Sequence, residues 1–135
     1  MSDPPPDDLQ PAAAPVQVID LPPEAAAALV ALAASLGLDA VRIDLRGCRD
    51  KQALLARTAQ AVGFPAWFGG NWDAYFDCLA DLGWRAGSGH VLVFEHTDEM
   101  RSYAPEALDT AIAILGDAAA AWATRGRPFR AFVAA

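Results

Sequence analysis

Four short apolar runs punctuate this chain: VQVIDL at 16–21, VRIDL at 41–45, HVLVFE at 90–95 and FRAFV at 129–133. Between them lie stretches whose apolar residues recur at helical spacing. Strands separated by helices pair in parallel, because a crossover must carry the chain back before the next strand can start. The alternation therefore predicts an α/β fold with a small sheet of three or four mostly parallel strands, packed with helices. HVLVFE is apolar almost throughout, as expected of a strand covered on both faces. With 135 residues, 54% of them hydrophobic, the chain has room for one such core and little else. No internal repeat is present.

Proline and glycine place the helix ends. Pro22 and Pro23 suit a helix start, where a missing amide costs nothing. The first helix would bury Leu29, Leu32 and Leu36 and stop at Gly37. Asp50 is positioned to cap a second helix running to about residue 62, with Leu54, Leu55, Ala59 and Val62 inward. Residues 64–70 (FPAWFGG) read as a loop, and Asn71 as the N-cap of a helix through about residue 82. A long helix over 105–124 carries Leu108, Ile112, Leu115, Ala119 and Trp122 on one stripe and ends before Gly126.

Residues 1–15, rich in Pro, Ala and Asp, are expected to form a flexible acidic tail, leaving 16–135 as one domain with 16–40 as a strand-helix extension. The start of the chain has neither a basic nor an apolar segment of a signal peptide, and no apolar run reaches the ~18–20 residues that span a bilayer. A cytoplasmic location is the expectation. Cys48 and Cys78 are too few for a disulfide scaffold and fit free thiols, Cys78 on the apolar side of its helix.

The formal net charge is −7. That balance argues against neutralising nucleic-acid phosphates or binding an anionic membrane, both of which need a basic face. The charge is also uneven. Residues 1–40 hold six acids and no base, 41–63 two acids and five bases, 64–99 six acids and one base, and 100–135 three acids and four bases.

Within the central acidic block, Asp73, Asp77 and Asp81 recur at every fourth position, stacking like charges on one helix face at a cost of a few tenths of a kcal/mol per pair. Trp72, Phe76, Leu79 and Ala80 would anchor the opposite face. A solvated polar face is the plain reading of the three carboxylates. Beside them, however, Trp67, Phe68, Trp72, Tyr75 and Phe76 place five aromatics within ten residues, more than one short helix can bury. Aromatics rimmed by charge are the composition of a protein-binding hot spot. Gly69 and Gly70 leave the backbone open to close approach.

The stretch FPAWFGGNWDAYFDCLADLGW, residues 64–84, resembles the signature of the barstar family of ribonuclease inhibitors, and the resemblance extends over about 41–135. It implies a barstar-like fold and a loop and helix that plug the active site of a basic ribonuclease, their acids meeting the groups that bind substrate phosphate. By position, Asp73 and Asp77 match the family's inhibitory aspartates. Trp67 matches an aromatic that faces the enzyme, and Phe76 stands where the family often has Trp. Gly69 and Asn71 match the loop before the helix, while Cys78, Gly83 and Trp84 match its far side. The chain departs from the pattern at Gly70, which is acidic in barstar, and near Ala121, where barstar has a further glutamate. Residues 1–40 have no counterpart there.

The expectation is thus a non-enzymatic inhibitor. Its partner-binding surface is Trp67, Gly69, Asn71, Asp73, Phe76 and Asp77; it has no cofactor, metal, nucleic-acid or membrane partner, and its target is a basic protein of the secreted-ribonuclease type. Two alternatives stand beside it. The same fold redirected to a non-nuclease partner, as an antitoxin, immunity protein or regulator, would keep the surface and change the target. A small hydrolase using Asp73 and Asp77 would need a third group to set their pKa values apart, and none is evident. A phosphate cradle at Gly69–Gly70–Asn71 has no Lys or Arg beside it, and the run Glu95, His96, Asp98 has no histidine pair at zinc spacing.

Overall fold

The computed structural model describes residues 14–135. Four strands, β1 (Val16–Ile19), β2 (Asp39–Asp44), β3 (His90–Glu95) and β4 (Phe129–Ala134), form one sheet in the order β1-β4-β3-β2. Every pairing is parallel, with Leu92 opposite Val41 and Ala131, and Val16 opposite Ala131 on the far side of β4. The expected α/β architecture is therefore present. The expected acidic tail lies, up to residue 13, outside the described residues; the Pro15 carbonyl accepts a hydrogen bond from Ala131 N–H at 2.8 Å.

Alternation along β3 explains its continuous apolar character. Val91 and Val93 join Phe132, Leu21, Ala26 and Ala33 in a core on one face. Leu92 and Phe94 join Ile43, Phe129 and Val133 in a larger core on the other. α1 (Pro23–Ser35) covers the first face. The second is covered by α2 (Lys51–Val62), α3 (Trp72–Asp81) and α5 (Pro105–Ala123), with Met100 of the short α4 (Asp98–Tyr103) tucked among them. The apolar side chains of β3 thus meet a helix layer on each face, which is what a parallel sheet requires.

Several expected stripes shift. α1 buries Ala26 and Ala33, leaving Leu29 and Leu32 half-buried and Leu36 exposed, because this helix lies close enough to the sheet for alanine to make the contact. In α2, Thr58 rather than Ala59 points inward; its hydroxyl lies 2.9 Å from the Leu54 carbonyl and 3.3 Å from the Tyr75 hydroxyl, so the buried polar group is satisfied. In α5, Ala111 and Ala118 are buried and Ile112 is half-buried. The sequence pattern does not announce α4: its six residues, DEMRSY, bury one side chain and carry too little periodicity to signal a helix.

Among the described residues no helix is long and apolar enough to cross a membrane.

Candidate protein-binding site

The loop between α2 and α3 is held by its own rings. Gly63 ends α2 in the left-handed region (φ 76°), with its N–H bonded to the Ala59 carbonyl at 2.9 Å. The chain then turns Phe64 inward, where it meets Phe68, Tyr75 and Trp84 edge-on at centroid distances of 5.0, 6.0 and 6.2 Å. Edge-to-face contacts of this kind add about 0.5–1.5 kcal/mol each beyond burial. One phenyl ring therefore joins the loop, the helix and the turn after the helix. Trp67 is left outside this network, 56% exposed.

Asn71 starts α3 as expected: its Oδ1 accepts from Ala74 N–H at 2.8 Å. A Cβ added at Gly69 would come 3.3 Å from Asn71 Nδ2, crowding the capping side chain. Gly70 adopts φ 70°, a conformation that disfavours the acidic side chain expected from the family pattern.

One of the five clustered aromatics, Tyr75, is withdrawn from the shared surface that the sequence suggests. Tyr75 is fully buried, its hydroxyl close to Thr58, and burial drives its pKa far upward. α3 faces the core through Tyr75, Cys78 and Leu79, followed by Leu82, instead of through Trp72, Phe76, Leu79 and Ala80. Trp72 packs edge-on against Tyr75 at 5.7 Å and remains half-buried, as do Phe68 and Phe76. The reason is geometric: the stripe formed by steps of three and four from Tyr75 faces the sheet, which leaves Trp72 and Phe76 on its shoulder. The Trp122 indole N–H donates to the Leu79 carbonyl at 2.8 Å, fixing the helix against α5. Cys78 lies in this buried layer, and burial pushes its thiol up to about 11, so it packs rather than reacts. Cys48 is buried too, and neither cysteine is in a disulfide.

Asp73, Asp77 and Asp81 point outward, all exposed. The Asp81 carboxylate accepts from Gly83 N–H at 3.2 Å. Asp73 and Asp77 join Trp72 and Phe76 in lining an open groove of about 420 Å³ between α3 and α5, completed by Ile114 and Asp117 of α5. Sequence reasoning missed Asp117 as a site residue. It stands one helical turn before Ala121, the position where the family's glutamate is absent, and only the packing of α5 against α3 brings it to the groove. Three carboxylates and two aromatic rings thus converge from two helices.

No cation of the described residues lies within ion-pair distance of Asp73, Asp77 or Asp117. The acids at the strand ends are treated differently. Arg85 donates to both oxygens of Asp39 at 2.6 and 3.0 Å, and His90 Nδ1 lies 2.9 Å from the same carboxylate. Burial pushes the Asp39 carboxyl up, but hydrogen bonds from Arg85 and His90 outweigh it and hold the group below the usual range. Glu95 is paired bidentately with Arg42, Glu99 with Arg49, and Asp44 with His96. Glu95 and His96, considered above as metal ligands, are engaged by these partners, and among the described residues no three of His, Cys, Asp or Glu are grouped to hold a metal ion.

Such a surface can attract and seat cationic side chains: it is negative, ringed by aromatics and preformed. Residues 38–134 match the family model described as Barstar (barnase inhibitor). No curated protein matches the chain.

Proposed function

The chain belongs to the barstar family, and on that premise we propose that it binds and blocks the active site of a basic ribonuclease with the face built from Trp67, Gly69, Asn71, Asp73, Phe76 and Asp77. The observation that carries this reading is the groove in which Asp73, Asp77 and Asp117 share walls with Trp72 and Phe76 and have no cation of their own among the described residues. A ribonuclease active site presents Lys, Arg or His⁺ to a phosphodiester. Carboxylates held at fixed spacing on a helix stand in for that phosphate, forming charge-assisted hydrogen bonds that shorten and strengthen as water is excluded. The helix does no chemistry. Its role is to offer the enzyme a preordered anion that cannot be cleaved.

Trp67 extends the contact beyond the groove, an exposed indole ready to be covered. Gly69 permits close approach of the partner to the loop backbone, and Asn71 keeps the first turn of α3 intact. Gly70 and Ala121, where the family's acids are missing, are the positions expected to decide which ribonuclease is bound. The uncompensated negative field steers encounter and makes association salt-sensitive.

The test is inhibition of RNA cleavage by barnase at stoichiometric amounts of this protein, with Asp77→Ala and Asp73→Ala in parallel. Inhibition by the wild type, lost in the variants, is the expected outcome. Undiminished inhibition by both variants would rule out the plug.

A further inference from the structure

Trp72 has two sides. One closes the acidic groove; the other is a wall of a second open groove of about 400 Å³, lined also by Arg49, Lys51, Tyr103 and Glu106. Here the first turns of α2, α3 and α5 meet. Tyr103 is 62% exposed, with the Arg49 guanidinium 4.7 Å above its ring, and the Lys51 ammonium sits 5.4 Å above the Trp72 ring. Tyr, Trp and Arg are the side chains over-represented at protein-binding hot spots.

The charges of this groove have unequal obligations. Asp50, which also borders it, accepts from Ala53 N–H at 2.8 Å and caps α2. Glu106 lies in the first turn of α5, where a negative charge is favoured by the helix dipole. Arg49 is bound to Glu99 at 2.7 Å. Lys51 differs: it has no carboxylate partner among the described residues, and it occupies the first turn of α2, where the dipole disfavours a cation. Among the described residues, Asp50, Lys51 and Glu106 are the charges of the groove without an ion-pair partner, and of these only Lys51 is opposed by its own helix dipole; its complement is a carboxylate.

We propose that this groove is the second half of the docking surface and receives an Asp or Glu side chain of the same basic ribonuclease whose cations enter the acidic groove. The proposal rests on the inhibitory reading above. The shared Trp72 wall makes the two grooves neighbours, and a stable interface of roughly 800 Å² per partner is broader than one helix face. A basic enzyme that also presents an acid at this spacing would satisfy both grooves, whereas one presenting only cations would leave Lys51 opposed. The second groove thus selects among basic partners.

Inhibition constants for barnase would be measured for the wild type, Lys51→Glu, Tyr103→Ala and Asp77→Ala, with the melting temperature of each. Lys51→Glu should weaken inhibition about tenfold or more while leaving the melting temperature unchanged or slightly raised, since Glu suits that helix position. Tyr103→Ala should weaken it less. A scan replacing barnase surface carboxylates one at a time with Lys should find one that restores binding to Lys51→Glu. If Lys51→Glu and Tyr103→Ala inhibit as well as the wild type while Asp77→Ala does not, the second groove is overturned and the inhibitory reading stands. The second groove is likewise overturned if no charge swap rescues Lys51→Glu. A wild type that inhibits neither barnase nor any other small basic ribonuclease offered to it overturns both.

Discussion

The ends of the sheet and the outer face of α3 are both rich in carboxylates, yet they use them in opposite ways. At the sheet ends Asp39, Asp44 and Glu95, and in the adjoining α4 Glu99, each meet a guanidinium or imidazole of the same chain. On α3 and α5, Asp73, Asp77 and Asp117 meet none among the described residues, although they line a groove with the aromatic rings of Trp72 and Phe76. Paired acids hold strands and loops in register. Unpaired acids repel one another, and only Asp73, in the first turn of α3, is favoured by a helix dipole; under the proposed function a partner supplies the missing cations. The contrast separates what stabilises this molecule from what it offers for binding.

The sharpest way to break the contrast uses two neighbours on α3. Tyr75→Ala, which empties a fully buried site, should destabilise the protein by about 3–5 kcal/mol, read by urea unfolding. Asp77→Ala, two residues on, should leave stability unchanged or raise it by a few tenths of a kcal/mol by relieving like-charge repulsion, yet weaken binding to barnase by about 3 kcal/mol, or more than a hundredfold. If Asp77→Ala proves as destabilising as Tyr75→Ala, the outer face has a structural role and the division fails.

Asp39→Asn probes the other side. Losing the charge that Arg85 and His90 both contact should cost about 1–3 kcal/mol of stability and leave barnase inhibition unaltered. Its pH dependence has a definite sign. The Asp39 carboxyl titrates lower in the folded chain than in the unfolded one, so its contribution is present above the ordinary carboxylate range near pH 4 and is lost as pH falls through that range toward the folded value. Acid unfolding curves of wild type and Asp39→Asn should therefore converge at low pH; a constant gap would show that Asp39 acts through packing alone. A smaller effect is kinetic. Raising salt should slow association with barnase by tenfold or more and barely shift the melting temperature, because the fold's own ion pairs are short and local while the α3 field is long-ranged.

Much of this was legible in the sequence. Runs such as HVLVFE, set between helical stretches, prescribe parallel pairing, and the Asn71 cap and the outward Asp73 and Asp77 follow from local chemistry. Tyr75 was not legible as core: its alignment beside Trp72 and Phe76 suggested a common surface, and only the direction of the sheet decides which of three adjacent aromatics is covered. Ala26 and Ala33 replaced Leu29 and Leu32 as the buried side of α1 for a similar reason, since the distance between helix and sheet is set by the whole core. Asp117 and the Lys51 groove are tertiary. They lie far from residues 64–84 in sequence and reach α3 only through the packing of α5 and α2.

Most directly decisive is a titration of barnase with the wild type and with Asp77→Ala, following RNA cleavage and the melting temperature of each inhibitor. A plug built on unpaired carboxylates predicts one-to-one inhibition by the wild type, loss of more than a hundredfold in the variant, and a variant at least as heat-stable as its parent. Cleavage that proceeds unhindered with wild type present, or a variant that inhibits as tightly as wild type, would contradict it.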